Sequence, residues 1–143
     1  MSSKSEKIGA IIAEHHHREG PLLPILHAVQ DEFGCVDEES EALIAKGLNL
    51  SRADVHGVVS FYHDYSTTPE PRPVVQICRA EACKARGVEE LMDGARKAAG
   101  DRVKLHTVYC LGLCSQGPAA RVGDRLHARL DGPRLEAIIG GAS

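Results

Sequence analysis

Hydrophobic positions in the first 65 residues recur at helical spacing, and polar, glycine and proline residues separate them into four segments. The second segment stops at Gly34 and places its hydrophobic side chains on one helical face: Leu22, Ile25, Leu26, Val29 and Phe33. The third segment is predicted to run from Asp37 to Lys46, with Gly47 as its C-terminal cap. The pattern therefore predicts a small helical bundle over residues 4 to 65.

The start of the fourth predicted helix is the best marked. Ser51 and Asp54 have the spacing of a capping box, with Asp in place of the more usual Glu. The same helix is expected to run into an aromatic patch of Phe61, Tyr62 and Tyr65. These aromatic side chains either pack in the core or contact a partner protein.

The hydrophobic period changes after a proline-rich stretch, residues 67 to 73, which cannot continue a helix and predicts a linker. Beyond it, two β-branched runs end at Cys78 and Cys110 and flank an amphipathic helix that closes at Gly100. A hairpin and a last helix follow. The order β-α-β-β-β-α predicts a thioredoxin-like α/β layer. We therefore expect an α+β protein, with an N-terminal helical bundle over residues 1–70 and an α/β domain over residues 71–143.

The composition of the 143 residues narrows the possible functions. The chain has a net charge of −3, no Trp and only 3% aromatic residues, and it lacks the basic block that nucleic-acid binding requires. No apolar run approaches the roughly 18 residues of a membrane span, so no direct membrane insertion is expected. The N-terminal residues do not resemble a signal peptide. We expect a cytoplasmic protein, in which thiols stay reduced.

Four of the five cysteines form two close pairs, Cys78 with Cys83 and Cys110 with Cys114. In a reducing compartment, clustered cysteines indicate a metal site or thiol chemistry more often than structural disulfides. If the two predicted strands are neighbours, both pairs leave the same edge of the sheet. Cys35 stands apart after a predicted helix end, where a small apolar residue is expected to pack.

The spacing within the pairs leaves three kinds of site open. Wide C-x₄-C and C-x₃-C spacing favours a binuclear [2Fe–2S] cluster in which each pair holds one iron. A zinc-stabilised interaction module remains possible, although zinc pairs are usually tighter. A dithiol redox site is disfavoured because C-x-x-C is absent. Gly112 and Gly117 are expected to let the second loop turn and to present N–H groups to the sulfurs of a cluster.

The ordered motifs resemble a known family. C-x₄-C is followed by YCLGLC and a nearby Gly–Pro, and LLPILHAVQDEFGCVDEES and LNLSRADVHGVVSFYHDY precede them. From about residue 20 to 139 the chain is similar to the thioredoxin-like [2Fe–2S] subunit family of NADH-oxidising complexes. Members include the complex I subunit, the diaphorase subunit of NAD-linked hydrogenases and the gamma subunit of NAD-dependent formate dehydrogenases.

This resemblance implies a function and a set of ligands. Cys78, Cys83, Cys110 and Cys114 would bind the [2Fe–2S] cluster, and the helical bundle would dock on a partner subunit. That NADH-binding partner would carry the FMN, the NAD site and a [4Fe–4S] cluster. The chain would serve an oxidoreductase complex by electron transfer and would catalyse no substrate reaction alone.

Two departures from the complex I pattern point to one branch of the family. The segment between the cysteine pairs is short, and Tyr109 stands before the third cysteine where complex I members often carry an acidic residue. SQGPAA follows Cys114. Both features resemble the formate dehydrogenase gamma subunit, which implies a larger molybdenum or tungsten complex as the partner.

Overall fold

The computed structural model describes residues 3–143, which form two compact units. The first unit ends at Glu70, and the second comprises Pro71–Ser143. Within the described part of the chain, no helix is long and apolar enough to cross a membrane.

The first unit is a four-helix bundle. Its helices are α1 (Ser3–His15), α2 (Leu22–Phe33), α3 (Glu38–Leu48) and α4 (Arg52–Phe61). The apolar stripes predicted from the sequence face inward, and the core contains the fully buried side chains of Ile8, Ile25, Leu26, Val29, Ile44 and Val55. The predicted helical bundle is confirmed.

The capping residues of the helices agree with the sequence prediction at α4 and differ from it at α3. Ser51 and Asp54 form the predicted capping box, since each side chain accepts from the other residue's backbone N–H. Gly47 was wrongly predicted as a cap: it lies inside α3, and Asn49 takes the left-handed cap position with φ 54°. A Cβ on Gly47 would lie 2.8 Å from the Cδ1 atom of Ile12, so this glycine lets α1 approach α3 closely.

The second unit is a mixed α/β layer. In chain order it contains β1 (Val74–Cys78), α5 (Glu81–Ala85), α6 (Val88–Ala99), β2 (Lys104–Val108), a 3₁₀ turn (Cys114–Gln116), β3 (Ala120–Val122), β4 (Arg125–His127) and α7 (Gly132–Gly140). The sheet order is β2-β1-β3-β4, with β1 and β2 parallel and the other pairs antiparallel. The predicted α+β class and thioredoxin-like layer are confirmed.

Helix packing on this sheet follows the predicted pattern. The amphipathic helix α6 buries Val88, Met92, Ala95 and Ala99 and closes at Gly100, and it packs against α7. The side chain of Arg102 donates to three carbonyl groups at the end of α7, two of them at 2.6 and 2.7 Å. These bonds satisfy carbonyls that a helix end leaves without an intrahelical partner.

Two features near the cysteines differ from the sequence prediction. Strand β2 ends at Val108 rather than at Cys110, so the whole second pair lies beyond the sheet. The five-residue helix α5, which carries Cys83, was not predicted. A helix this short contains little more than one turn, so it shows no hydrophobic repeat.

Candidate metal centre

The two parallel strands bring both cysteine-bearing segments to one edge of the sheet. Cys78 is paired in register with Val108, the last residue of β2. The N–H of Arg79 then donates to the carbonyl of Val108 at 2.9 Å, which holds the two departing segments together. The expected arrangement, in which neighbouring strands deliver both loops to the same edge, is confirmed.

The first cysteine pair lies inside the protein. Cys78 ends the central strand β1, and its N–H donates to the carbonyl of Ala119 at 3.0 Å. Cys83 lies in α5, and both cysteines are only 2% exposed. Burial raises the pKa of the Cys83 thiol, and the adjacent Cys78 thiol raises it further. The two sulfurs are therefore close neighbours in a poorly solvated pocket.

The second pair lies on the surface. The Sγ atoms of Cys110 and Cys114 are 3.8 Å apart, and both residues are exposed. Between them, Gly112 has φ 76°, a conformation that costs glycine little. Its N–H donates to Cys110 Sγ at 3.3 Å. The loop thus holds two thiols at close range and supplies a hydrogen bond to one of them.

The two pairs influence each other electrostatically. The hydrogen bond with Cys110 raises the pKa of the Cys114 thiol, and Cys78 also raises it across the gap. In the same way, Cys114 contributes to the raised pKa of Cys83. The Cys114 thiol therefore lies within electrostatic reach of both Cys78 and Cys83. Cys35 lies in the first unit and is 6% exposed.

Gly117 has a different role from the one its sequence position suggested. Its φ of −70° is an ordinary extended conformation, so glycine is not needed there for the turn. Instead, a Cβ at this buried position would lie 2.9 Å from Cys83 Sγ. The absence of a side chain leaves room for the sulfur.

Ala119 is a site residue that sequence analysis missed. Its backbone N–H lowers the pKa of Cys83, opposing the effect of burial. This contribution comes from the main chain, so no residue type could have indicated it.

The arrangement of the thiols distinguishes between kinds of metal centre. The four thiols form two pairs, Cys78 with Cys83 and Cys110 with Cys114. A binuclear cluster uses one pair of thiolates for each iron, whereas a structural zinc site needs four ligands around one ion. The residues therefore fit a [2Fe–2S] cluster, for which Gly112 supplies an N–H···S hydrogen bond.

The second unit is thus a mixed α/β layer that carries two cysteine pairs at one sheet edge. The chain belongs to the thioredoxin-like [2Fe-2S] ferredoxin family, whose family model matches residues 8–143. The family resemblance stated from the cysteine motifs is confirmed.

Relatives align over most of their own length. The second E-type subunit of the NADH-quinone oxidoreductase of Rhizobium meliloti is 31% identical over 143 residues, which cover 94% of this chain and 85% of the relative. NADH-quinone oxidoreductase subunit 2 of Thermus thermophilus is also 31% identical and is covered to 74%, with 87% of this chain aligned. NADP-reducing hydrogenase subunit HndA of Solidesulfovibrio fructosivorans is 26% identical, with 85% of this chain and 77% of the relative covered.

A solved structure of an NAD+-reducing [NiFe]-hydrogenase in the H2-reduced state has a similar fold. The TM-score is 0.66 and the identity 26%, over 80% of this chain. The match spans 21% of the hydrogenase chain, so only about a fifth of that chain corresponds to this protein.

Proposed function

We propose that this protein is an electron-transfer subunit that holds one [2Fe–2S] cluster through Cys78, Cys83, Cys110 and Cys114. The observation that carries the proposal is the convergence of two thiol pairs at the carboxyl ends of two parallel strands. A bound cluster would supply reversible one-electron chemistry. The protein's own task is to hold the ligands, exclude water on one side and tune the charge.

The two sides of the site would do different work. Cys78 and Cys83 are buried, so they would present their iron to the low-dielectric interior. Cys110 and Cys114 are exposed, so electrons would reach or leave the site most readily on their side. The N–H of Gly112 would stabilise negative charge on the Cys110 sulfur and so favour reduction.

The electron partner would be an NADH-binding flavoprotein subunit carrying FMN and a [4Fe–4S] cluster. The names of the relatives support this, because they are subunits of NADH-quinone oxidoreductase or an NADP-reducing hydrogenase. We assign partner docking to the helical unit, residues 1–70, where Phe61 is 75% exposed and Tyr62 is 43% exposed. Tyr65 is buried and belongs to the core of that unit.

Within this class we propose the gamma subunit of an NAD-dependent formate dehydrogenase with a molybdenum or tungsten subunit. Three sequence features support this assignment: the segment between the two cysteine pairs is short, Tyr109 precedes Cys110, and SQGPAA follows Cys114. The second candidate is a complex I or NAD-linked hydrogenase subunit, which the names of the relatives favour. We place the complex in the cytoplasm, whose reducing conditions suit five free cysteines.

The cluster assignment is tested by measuring iron, acid-labile sulfide and zinc in anaerobically purified protein, together with its visible and EPR spectra. We expect about two irons and two sulfides per chain, because one binuclear cluster fills the site. Cys→Ser at any of the four ligands should abolish or strongly alter the spectra. Cys35→Ser is the matched control and should leave them intact. One zinc without sulfide would instead identify a zinc-stabilised module, and a reversible disulfide without metal would identify a dithiol protein.

The enzyme complex that contains this subunit is identified by purifying the tagged chain together with its native partners. A co-purifying flavoprotein and a molybdenum- or tungsten-containing subunit, with formate-dependent NAD+ reduction, would support formate dehydrogenase. Hydrogen-dependent or quinone-dependent activity in place of formate oxidation would support the second candidate. The isolated chain is expected to show none of these activities.

A further inference from the structure

Two arginines flank the first cysteine pair, and their surroundings differ. Arg79 directly follows Cys78. Its guanidinium donates to both carboxylate oxygens of Glu89, with Nε to Oε1 at 2.8 Å and Nη2 to Oε2 at 2.6 Å. This bidentate pair offsets the positive charge of Arg79 locally.

Arg86 is held near Cys83 by both its backbone and its side chain. It ends α5, and its N–H donates to the carbonyls of Ala82 and Cys83, both at 3.2 Å. A Cβ added to Gly117 would lie 3.3 Å from Arg86 Cδ and 2.9 Å from Cys83 Sγ. The arginine stem and the sulfur therefore border the same small space. The guanidinium, attached to that Cδ, lies within a few bond lengths of this space.

The charge of Arg86 is not offset as that of Arg79 is. Across residues 3–143, its guanidinium takes part in no ion pair or side-chain hydrogen bond, and the residue is exposed. Of the two arginines beside the first cysteine pair, Arg86 therefore presents a full positive charge at the edge of the site.

We infer that Arg86 raises the reduction potential of the cluster, acting through its charge rather than as a ligand. The inference rests on the proposed function. One-electron reduction converts one ferric ion to ferrous and adds one negative charge to the thiolate-bound centre, the electron coming from an external reductant. A nearby cation stabilises the more negative state and so favours reduction.

The test is a redox titration of the cluster-loaded chain with dithionite, followed by circular dichroism and EPR. At a fixed solution potential near the midpoint potential of the wild type, Arg86→Gln should lower the ratio of reduced to oxidised cluster about three- to tenfold. The reason is that a unit positive charge near the cluster is lost. Arg86→Lys should keep most of the ratio. The difference between wild type and Arg86→Gln should shrink at high salt, since the exposed charge is screened.

Arg96→Gln is the matched control. Arg96 is exposed on α6, eight residues beyond Val88, and its guanidinium contacts Asp93 at 3.2 Å. The backbone of Arg96 lies about 12 Å along α6 from that of Val88, and Asp93 partly offsets its charge. The same loss of charge there should change the ratio less than about twofold.

The outcomes separate this inference from the proposed function. A wild-type chain without a cluster would overturn both. A loaded Arg86→Gln protein with the wild-type ratio, or an equal shift in Arg96→Gln, would overturn the role of Arg86 and leave the cluster assignment standing. If Arg86→Gln loads poorly, Arg86→Met keeps a long stem without the charge and gives the same comparison.

Discussion

Replacing Gly117 by Ala tests whether the site depends on the space beside Cys83. The backbone tolerates alanine at φ −70° and ψ 167°, a conformation that also suits a residue before proline. The new methyl group would meet Cys83 Sγ at 2.9 Å, Arg86 Cδ at 3.3 Å and Cys83 Cα at 3.6 Å. The variant therefore changes packing without straining the main chain.

The size of the effect follows from these distances. Non-bonded heavy atoms prefer separations of about 3.5 Å or more, so the sulfur must move by roughly 0.6 Å. Overpacking of this kind costs about 1–3 kcal/mol. Metal–ligand distances tolerate only about 0.2 Å. We therefore expect Gly117→Ala to lose more than half of its iron and sulfide, with faster bleaching of the visible absorbance in air.

Gly140→Ala, at the last residue of α7, is the matched control for this experiment. Its Cβ would meet no heavy atom within 4 Å, and the residue lies in the same unit. Iron and sulfide content and the bleaching rate should match those of the wild type. Wild-type iron, sulfide and EPR spectra in Gly117→Ala would show that the space beside Cys83 does not control ligand placement.

Three further predictions concern the stability of the two units. The new methyl group of Gly57→Ala would meet nothing within 4 Å, so this variant should raise the free energy of unfolding in urea by up to about 1 kcal/mol. The methyl group of Gly47→Ala would contact an isoleucine of α1 at 2.8 Å, so that variant should gain clearly less stability. Equal gains in the two variants would contradict the close approach of α1 to α3. The ammonium group of Lys4 lowers the pKa of Asp37 from 3.8 to about 2, so this carboxylate stabilises the fold above about pH 4 and the contribution is lost as the pH falls towards 2. Asp37→Asn should remove that part of the acid sensitivity in thermal unfolding, and an unchanged pH profile would argue against it. Arg102→Gln should destabilise the second unit by about 1–3 kcal/mol in urea unfolding, because the carbonyls at the end of α7 lose a charged hydrogen-bond donor. Unfolding at the wild-type urea concentration would show that water replaces the arginine as donor.

The elements that sequence analysis predicted well are those with a repeated pattern. Helix α2 was found from its apolar stripe and its end at Gly34, which has φ 77°. Helix α6 was found in the same way. The meeting of the two cysteine segments was also predictable, because parallel neighbouring strands end at the same edge.

What the sequence could not predict depends on contacts between distant residues. Gly47 resembles a helix cap, yet the neighbouring helix α1 sets its role, and Asn49 takes the cap position. Gly117 resembles a turn residue, yet the sulfur of Cys83 sets its role. The unequal burial of the two cysteine pairs was likewise not visible in their spacing.

That unequal burial has a consequence for how a metal enters and leaves. Cys78 ends a strand that is hydrogen-bonded to neighbours on both sides, and amide protons in such strands exchange with water only through large openings of the fold. Cys110 and Cys114 lie in a loop and a three-residue turn, which open locally at much lower free energy. In the proposed cluster site, the exposed pair would therefore detach and re-form while the buried pair stays in place. Cluster binding should slow amide exchange in the loop that carries Cys110 and Cys114 and leave exchange in β1 unchanged.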